Sequence, residues 1–188
     1  MQFRKDIATR AAKYPSISVK VATKFTAPDP DQLKQIAADK TVKAEAFAHS
    51  TPEPEWSGNF LPPVQAQVSD VFGTRRVFNG KTQSMHQGLD YAVGQGTPVD
   101  AINGGKVILA RALYFEGNCV VIDHGQGLLS LYMHLSQFTV KEGDEVKRGQ
   151  PLGQSGGTGR ATGPHLHIAV RWQGIYLDPA TLLTLRFP

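Results

Sequence analysis

The chain has 188 residues, 40% hydrophobic and 19% charged, enough for one good core plus an extra segment. Its formal net charge of +4 is spread along the sequence, with nine basic and seven acidic side chains in residues 1–60 and eleven and nine in the rest. The absence of a basic stripe or tail argues against nucleic acid as a partner. No run is long enough to span a bilayer, and a single cysteine, Cys119, excludes an intramolecular disulfide and leaves the redox compartment open.

Met1-Gln-Phe-Arg-Lys-Asp lacks the apolar h-region of a signal peptide. Residues 1–15 are mixed and basic and read as irregular. Ile17, Val19 and Val21 alternate with Ser18 and Lys20, which predicts a half-buried strand ending near Phe25. Asp29 then suits a helix N-cap, Pro30 the first helical position, and Gln32 a return bond to the cap. Leu33, Ile36, Ala37, Ala44, Phe47 and Ala48 fall at helical spacing and predict the buried face. The helix should stop by His49-Ser-Thr-Pro52, with His49 a capping or solvated residue. This strand and helix are too small to fold alone and should pack on the next domain.

Residues 50–63 form a proline-rich linker whose Trp56 and Phe60 should dock on that domain. From Val64 onward short β-type runs recur between glycine turns: Ala66–Phe72, Gly88–Ala92, Pro98–Ala101, Lys106–Leu113, Asn118–Ile122, Leu128–His134, Val146 and His165–Trp172. The expected fold is mainly β, a small antiparallel sheet or sandwich with little helix, spanning residues 60–188 and preceded by the strand–helix segment and linker of residues 1–59. Gly96-Thr-Pro-Val99 with Gly105-Lys-Val107 resembles Gly143-Asp-Glu-Val146 with Gly149-Gln-Pro-Leu152, which suggests a β-hairpin unit used twice. Cys119 lies in a buried-strand pattern, where a small inert thiol fits better than a nucleophile.

The chemistry-bearing residues gather in a few places. In His165-Leu-His167, on an apolar strand behind Gly163-Pro164, strand alternation points both imidazoles to one face. In His86-Gln-Gly-Leu-Asp90, Gly88 argues for extended chain rather than helix, with Gly88 and Asp90 on one face. Two histidines and a carboxylate with an open coordination position make a recurrent ligand set for hydrolytic zinc. Either motif alone has bland uses, as a turn histidine or a hydrogen-bonded His–Asp pair. His124, in Asp-His-Gly-Gln-Gly, reads as a turn residue. Tyr132 reads as a core or rim aromatic, with substrate contact the alternative, and Arg75 and Arg76 as ion-pairing residues or grips for a substrate carboxylate. The glycines at 156, 157, 159 and 163 are followed by no Lys-Ser/Thr and no helix, so a phosphate loop is excluded; close backbone approach along a substrate groove is their expected use.

Taken with Phe72-Gly-Thr-Arg75, Gly96-Thr-Pro-Val99, Asp123-His-Gly125, Tyr132-x-His134-Leu135, Gly149-Gln150 and Thr158-Gly-Arg160, these motifs resemble the LytM/lysostaphin-type zinc peptidases, the M23 family, over about two-thirds of the chain, from Phe60 to Pro179. The resemblance implies Zn²⁺ held by His86, Asp90 and His167, with His134 and His165 as further active-site histidines that do not bind metal. His165 would act as general base on water, and His134 would hydrogen-bond the oxyanion or protonate the leaving amine, the two roles being open to exchange. It further implies peptidoglycan as the partner and a zinc endopeptidase acting on its stem peptides or cross-links. The N-terminal segment resembles the region before the catalytic domain in exported Gram-negative-type members. That favours the D-alanyl–diaminopimelate bond over a pentaglycine bridge, a periplasmic or exported location, and an export signal or anchor ahead of these residues. A non-catalytic wall-binding or amidase-activating module is the alternative, as is an enzyme kept latent by residues 1–60 over the groove. The intact set of five side chains argues against the module.

Overall fold

The computed structural model describes residues 13–48 and 50–187. Most of the stretch expected to be irregular, and His49, lie outside them. In chain order the described elements begin with strand β1 (Ser16–Val19), helix α1 (Pro30–Ala48), β2 (Val68–Asp70), β3 (Arg75–Phe78), β4 (Thr82–Met85), β5 (Leu89–Tyr91) and β6 (Pro98–Asp100). The remaining elements are β7 (Gly105–Leu113), β8 (Gly117–Asp123), β9 (Leu128–Leu135), β10 (Gln137–Phe138), β11 (Glu145–Val146), β12 (Pro151–Gln154), β13 (Leu166–Trp172), β14 (Ile175–Leu177) and α2 (Pro179–Thr184).

The central sheet runs β11-β7-β8-β9-β13-β5-β2, with β14 paired to β13. Alternation along its strands sorts side chains into two apolar layers. Val120, Ile122, Tyr132, Ile168 and Val170 join the main core with Val99 and Leu152 from a second sheet, β10-β12-β6. Cys119, Val121, Leu129, Leu131 and Ala169 face the other way, into a smaller cluster that Val42, Ala46 and Phe47 of α1 cover. A third sheet, β1-β3-β4, stands beside the central one. The mainly β sandwich is therefore present, with one departure from an all-antiparallel pattern: β1 pairs parallel to β3.

The two similar glycine–valine units do not each form a hairpin. They pair with one another: β12 lies antiparallel to β6, and β11 antiparallel to β7. The N-cap expectation is met, since the Asp29 carboxylate accepts from the Asp31 and Gln32 N–H groups (3.0 and 2.8 Å) and Gln32 Oε1 accepts from Asp29 N–H at 3.1 Å. The inward face is only in part the one expected, since Phe47 packs on the sheet but most of the others do not. Leu33 is 53% exposed, and Ala37, Ala44 and Ala48 also face water. The face turned to the sheet instead carries polar anchors: Asp39 accepts from Tyr114 N–H at 2.6 Å, Gln32 Oε1 lies 3.0 Å from the Tyr114 hydroxyl, and Lys43 pairs with Glu116. β1 is shorter and more exposed than expected, ending at Val19, and the chain reaches the buried Phe25 through a 3-10 turn over Thr23–Phe25.

The linker docks as expected. Phe60 is buried, stacks edge-on to His124 and Phe187, and carries Trp56 on its outer side. Asp123 accepts from Ser50 and Thr51, and His124 C=O accepts from Glu55 N–H. His124 is a core residue rather than a turn residue. Its Nδ1 faces the Gly104 carbonyl at 2.6 Å, so Nδ1 carries the proton and Nε2 accepts from the Ser130 hydroxyl at 2.8 Å. The Ser130 and Tyr132 hydroxyls lie 3.0 Å apart, and Tyr132 Oη accepts from Ile102 N–H. Tyr132 is wholly buried in this network, which removes it from contact with any substrate.

Candidate metal centre

In β5, Leu89 and Tyr91 face the main core, so Asp90 between them must point to the opposite face of the sheet. β13 runs antiparallel to β5 in the register that sets His167 beside Asp90. Leu166 and Ile168 face the core in the same way, so His167 emerges on Asp90's side. His86 precedes β5 and swings back over it, held by Nδ1–H donated to the Val71 carbonyl at 2.8 Å. That bond leaves His86 Nε2 with its lone pair free.

Three atoms then converge. His86 Nε2 lies 3.1 Å from Asp90 Oδ1 and 3.0 Å from His167 Nδ1, and His167 Nδ1 lies 2.7 Å from Asp90 Oδ1. All three residues are buried, and they form a group able to hold a metal ion. Burial opposes ionisation of Asp90, yet the bonds and charges of His167 and His86 outweigh it and hold the carboxyl well below the usual range. Burial lowers the pKa of His167, against the pull of Asp90. An ionised carboxylate with neutral imidazoles is the donor set that a divalent cation requires. Asp90 Oδ2 is engaged by Arg76, which also donates from Nε to Asp70 at 2.9 Å. The ion-pairing use of Arg76 thus has a definite address.

His134 sits beside this cluster for a backbone reason. Between the pairs Asn118↔Leu135 and Val120↔Tyr132, β9 carries one residue more than β8. The bulge is taken up around His134, which adopts φ 63°, a conformation uncommon for a side-chain-bearing residue. His134 Nδ1 donates to the Thr158 carbonyl at 2.8 Å, which turns Nε2 toward the site. Burial, then the neighbouring His165 and His167, push its pKa down to about 3. His165 holds the Gly163 carbonyl through Nδ1 at 2.9 Å, and its ring centroid is 4.7 Å from that of His134. The His134 and His167 rings are 6.1 Å apart. All five expected site residues therefore meet in one place.

Clefts open on both sides of the cluster. One is lined by Met85, His86, Phe115, His134 and His167, the other by Ile17, Val19, Asp90 and His165, and Arg76, Phe78 and Arg160 line both. Sequence reasoning did not single out Phe78, Phe115 or the Arg160 side chain; the arginine was only one letter of a glycine-rich motif. Of the glycines of that motif, Gly157 and Gly163 line clefts as expected, while Gly156 and Gly159 serve the chain's own packing. A Cβ at Gly159 (φ 70°) would strike Gly117 N at 2.3 Å, and one at Gly156 would meet Ser136 N at 2.7 Å.

Fold and donor set together define a mainly β domain with a buried group of three side chains able to hold a metal ion. The chain belongs to peptidase family M23, whose description matches residues 84–179. It is 45% identical over 115 residues to the peptidoglycan DD-endopeptidase ShyA of Vibrio cholerae, covering 60% of this chain and 27% of that protein. The crystal structure of a putative peptidase M23 from Pseudomonas aeruginosa superposes with a TM-score of 0.71 at 38% identity, covering 82% of this chain and 63% of that one. A zinc containing peptidase from Vibrio cholerae superposes with a TM-score of 0.63 at 34% identity, covering 71% and 41%. The chain spans less than a third of the length of the curated relatives it matches.

Proposed function

We propose that the chain is a zinc-dependent endopeptidase that cuts peptide bonds in peptidoglycan, at the D-alanyl–diaminopimelate cross-link, with residues 60–188 as its catalytic domain. The observation that carries this reading is the convergence of His86 Nε2, Asp90 Oδ1 and His167 Nδ1, with His134 and His165 at its rim. The similarity to a peptidoglycan DD-endopeptidase supports the substrate and the bond, and the zinc-containing neighbour supports the metal. A substrate outside the inner membrane calls for a periplasmic or exported location.

Bound by His86, Asp90 and His167, zinc would supply Lewis acidity to the scissile carbonyl and bring the pKa of water toward ~7. The remaining work falls to the chain's own side chains. His165 and His134 each commit Nδ1–H to a backbone carbonyl, so each offers a bare Nε2 to the site. The two divide the acceptance of a proton from the attacking water and its return to the leaving nitrogen, a role worth ~10²–10⁴-fold. Arg76 holds Asp90 Oδ2 and thereby keeps Oδ1 aimed at the metal position.

Purified diaminopimelate-type peptidoglycan, digested with wild type, His165→Ala and chelator-treated protein and analysed by mass, tests the reading. Wild type alone should convert cross-linked dimers to monomers. Equal product from all three samples would rule out the metallopeptidase.

A further inference from the structure

Among the described residues, Arg160 is the one arginine, lysine or carboxylate lining the two clefts with no ion pair of its own. Arg76 is matched by Asp70 and Asp90, and Glu116 by Lys43. The Arg160 guanidinium lies over two rings, its Cζ 4.4 Å from the centroid of Phe78 and 4.7 Å from that of Phe115. Its backbone is fixed from both sides. Arg160 N–H donates to Phe115 C=O at 2.8 Å, and the preceding Thr158 hydroxyl bridges Asn118 N–H and Leu135 C=O. Burial pushes its pKa down, with Glu116 opposing, so its charge is partly desolvated without a direct partner.

Aromatic rings pack against the guanidinium, which leaves the donors along its edge to bond. That edge carries its N–H donors in one plane, a fork that matches a carboxylate. The same turn supplies the carbonyl that orients His134, and Arg160 lines both clefts together with the site histidines. When a D-alanyl carbonyl acylates the side-chain amine of diaminopimelate, the carbon bearing that nitrogen also bears a free carboxylate. A glycine bridge has a neutral peptide carbonyl at the corresponding place.

We propose that Arg160 is a specificity residue that binds the carboxylate on the carbon next to the scissile nitrogen, and so selects cross-links whose acceptor is an amino acid with a free carboxylate. The inference rests on the peptidase reading for its site. The contacts with Phe78 and Phe115 hold the guanidinium, and Arg160 touches substrate rather than acting through another residue.

The test uses a D-alanyl–diaminopimelate cross-linked tetrapeptide dimer and the same dimer with that one carboxylate converted to the amide. Wild type should cleave the acid at least ~30-fold more efficiently than the amide, the lower end for losing one partner of a desolvated charge pair. Arg160→Gln should lose that preference by falling on the acid alone, and Arg160→Lys should keep part of it. Calorimetric binding to His165→Ala, with and without Arg160→Gln, gives a readout independent of turnover. Preferential binding of the acid by a wild type that cuts neither dimer would sustain the carboxylate site and sink the peptidase reading. Equal handling of acid and amide in both binding and cleavage overturns the inference, as does an equal loss on both in Arg160→Gln.

Discussion

Gly88 packs directly against the imidazole of His167: a Cβ built on it would come within 2.5 Å of His167 Nε2 and 2.3 Å of the Ile168 carbonyl oxygen. The missing side chain is what allows β5 and β13 to bring Asp90 and His167 together. Neither obstacle can yield cheaply, because one is backbone and the other a ring held between His86 and Asp90. Gly88→Ala should displace His167, cost ~1–3 kcal/mol of stability as overpacking does, and weaken zinc binding by tenfold or more. Competition with a metal indicator reads the affinity, and unchanged affinity in the variant would show that the ring has room after all.

Arg76 should matter to the metal before it matters to chemistry. It is the cation on Asp90 Oδ2 and is itself braced by Asp70. Partners of this kind change metal affinity by about 10–100-fold when removed. Arg76→Met should therefore bind zinc more weakly by that factor, with Arg76→Lys recovering part of it. A variant with wild-type zinc affinity and reduced activity would instead give Arg76 a role in substrate contact.

His124 sets an acid limit on the fold. Burial lowers its pKa to about 4, against the opposing pull of Gly104 and Asp123. The unfolded chain therefore binds this proton more readily than the folded one. The neutral ring contributes its full share above the unfolded value near 6.5 and loses it as pH falls toward 4. Between pH 7 and pH 5 this one group should remove about 2 kcal/mol of stability. Urea unfolding of wild type and His124→Asn at the two pH values isolates it, because the buried His134 and His167 shift in the same direction in both proteins. Equal pH slopes in the two would exclude His124 as the group responsible.

Legibility in the sequence tracks the range of the interactions involved. The Asp29–Gln32 cap was readable because it closes within one helical turn. The meeting of His86, Asp90 and His167 was readable through the resemblance of the ordered motifs to the M23 peptidases, whereas strand alternation by itself paired His165 with His167. The inward face of α1 was not, because Asp39 and Lys43 are anchored by Tyr114 and Glu116, more than seventy residues away, and periodicity counts such residues as solvent-facing. The β3–β4 hairpin was missed although Asn79 and Gly80 at its turn, with φ of 51° and 71°, are a standard signal for one. Strands as short as β10 and β11 carry no period to detect. The bulge that aims His134 depends on how β8 and β9 align, which neither segment encodes alone.

Among the described residues ahead of the linker, Ile17 and Val19 line one cleft, while α1 packs on the sheet face that also carries His167. Val42, Ala46 and Phe47 cover the cluster containing Leu109, Cys119 and Val121, and Arg171 stacks on Phe47 at 4.8 Å. The helix therefore supports the sheet that carries the site. Cys119, the only cysteine in the chain, reports on that support, since it is 1% exposed and burial pushes its thiol pKa up. Phe47→Asp should lift the helix, raise the rate of Cys119 alkylation by tenfold or more, and lower stability by ~3–5 kcal/mol, as losing a large aromatic contact does. Activity should fall with it. A variant that becomes more active while Cys119 stays protected would mean that this segment restrains the site, and that its contact with the sheet is not what holds Cys119 closed.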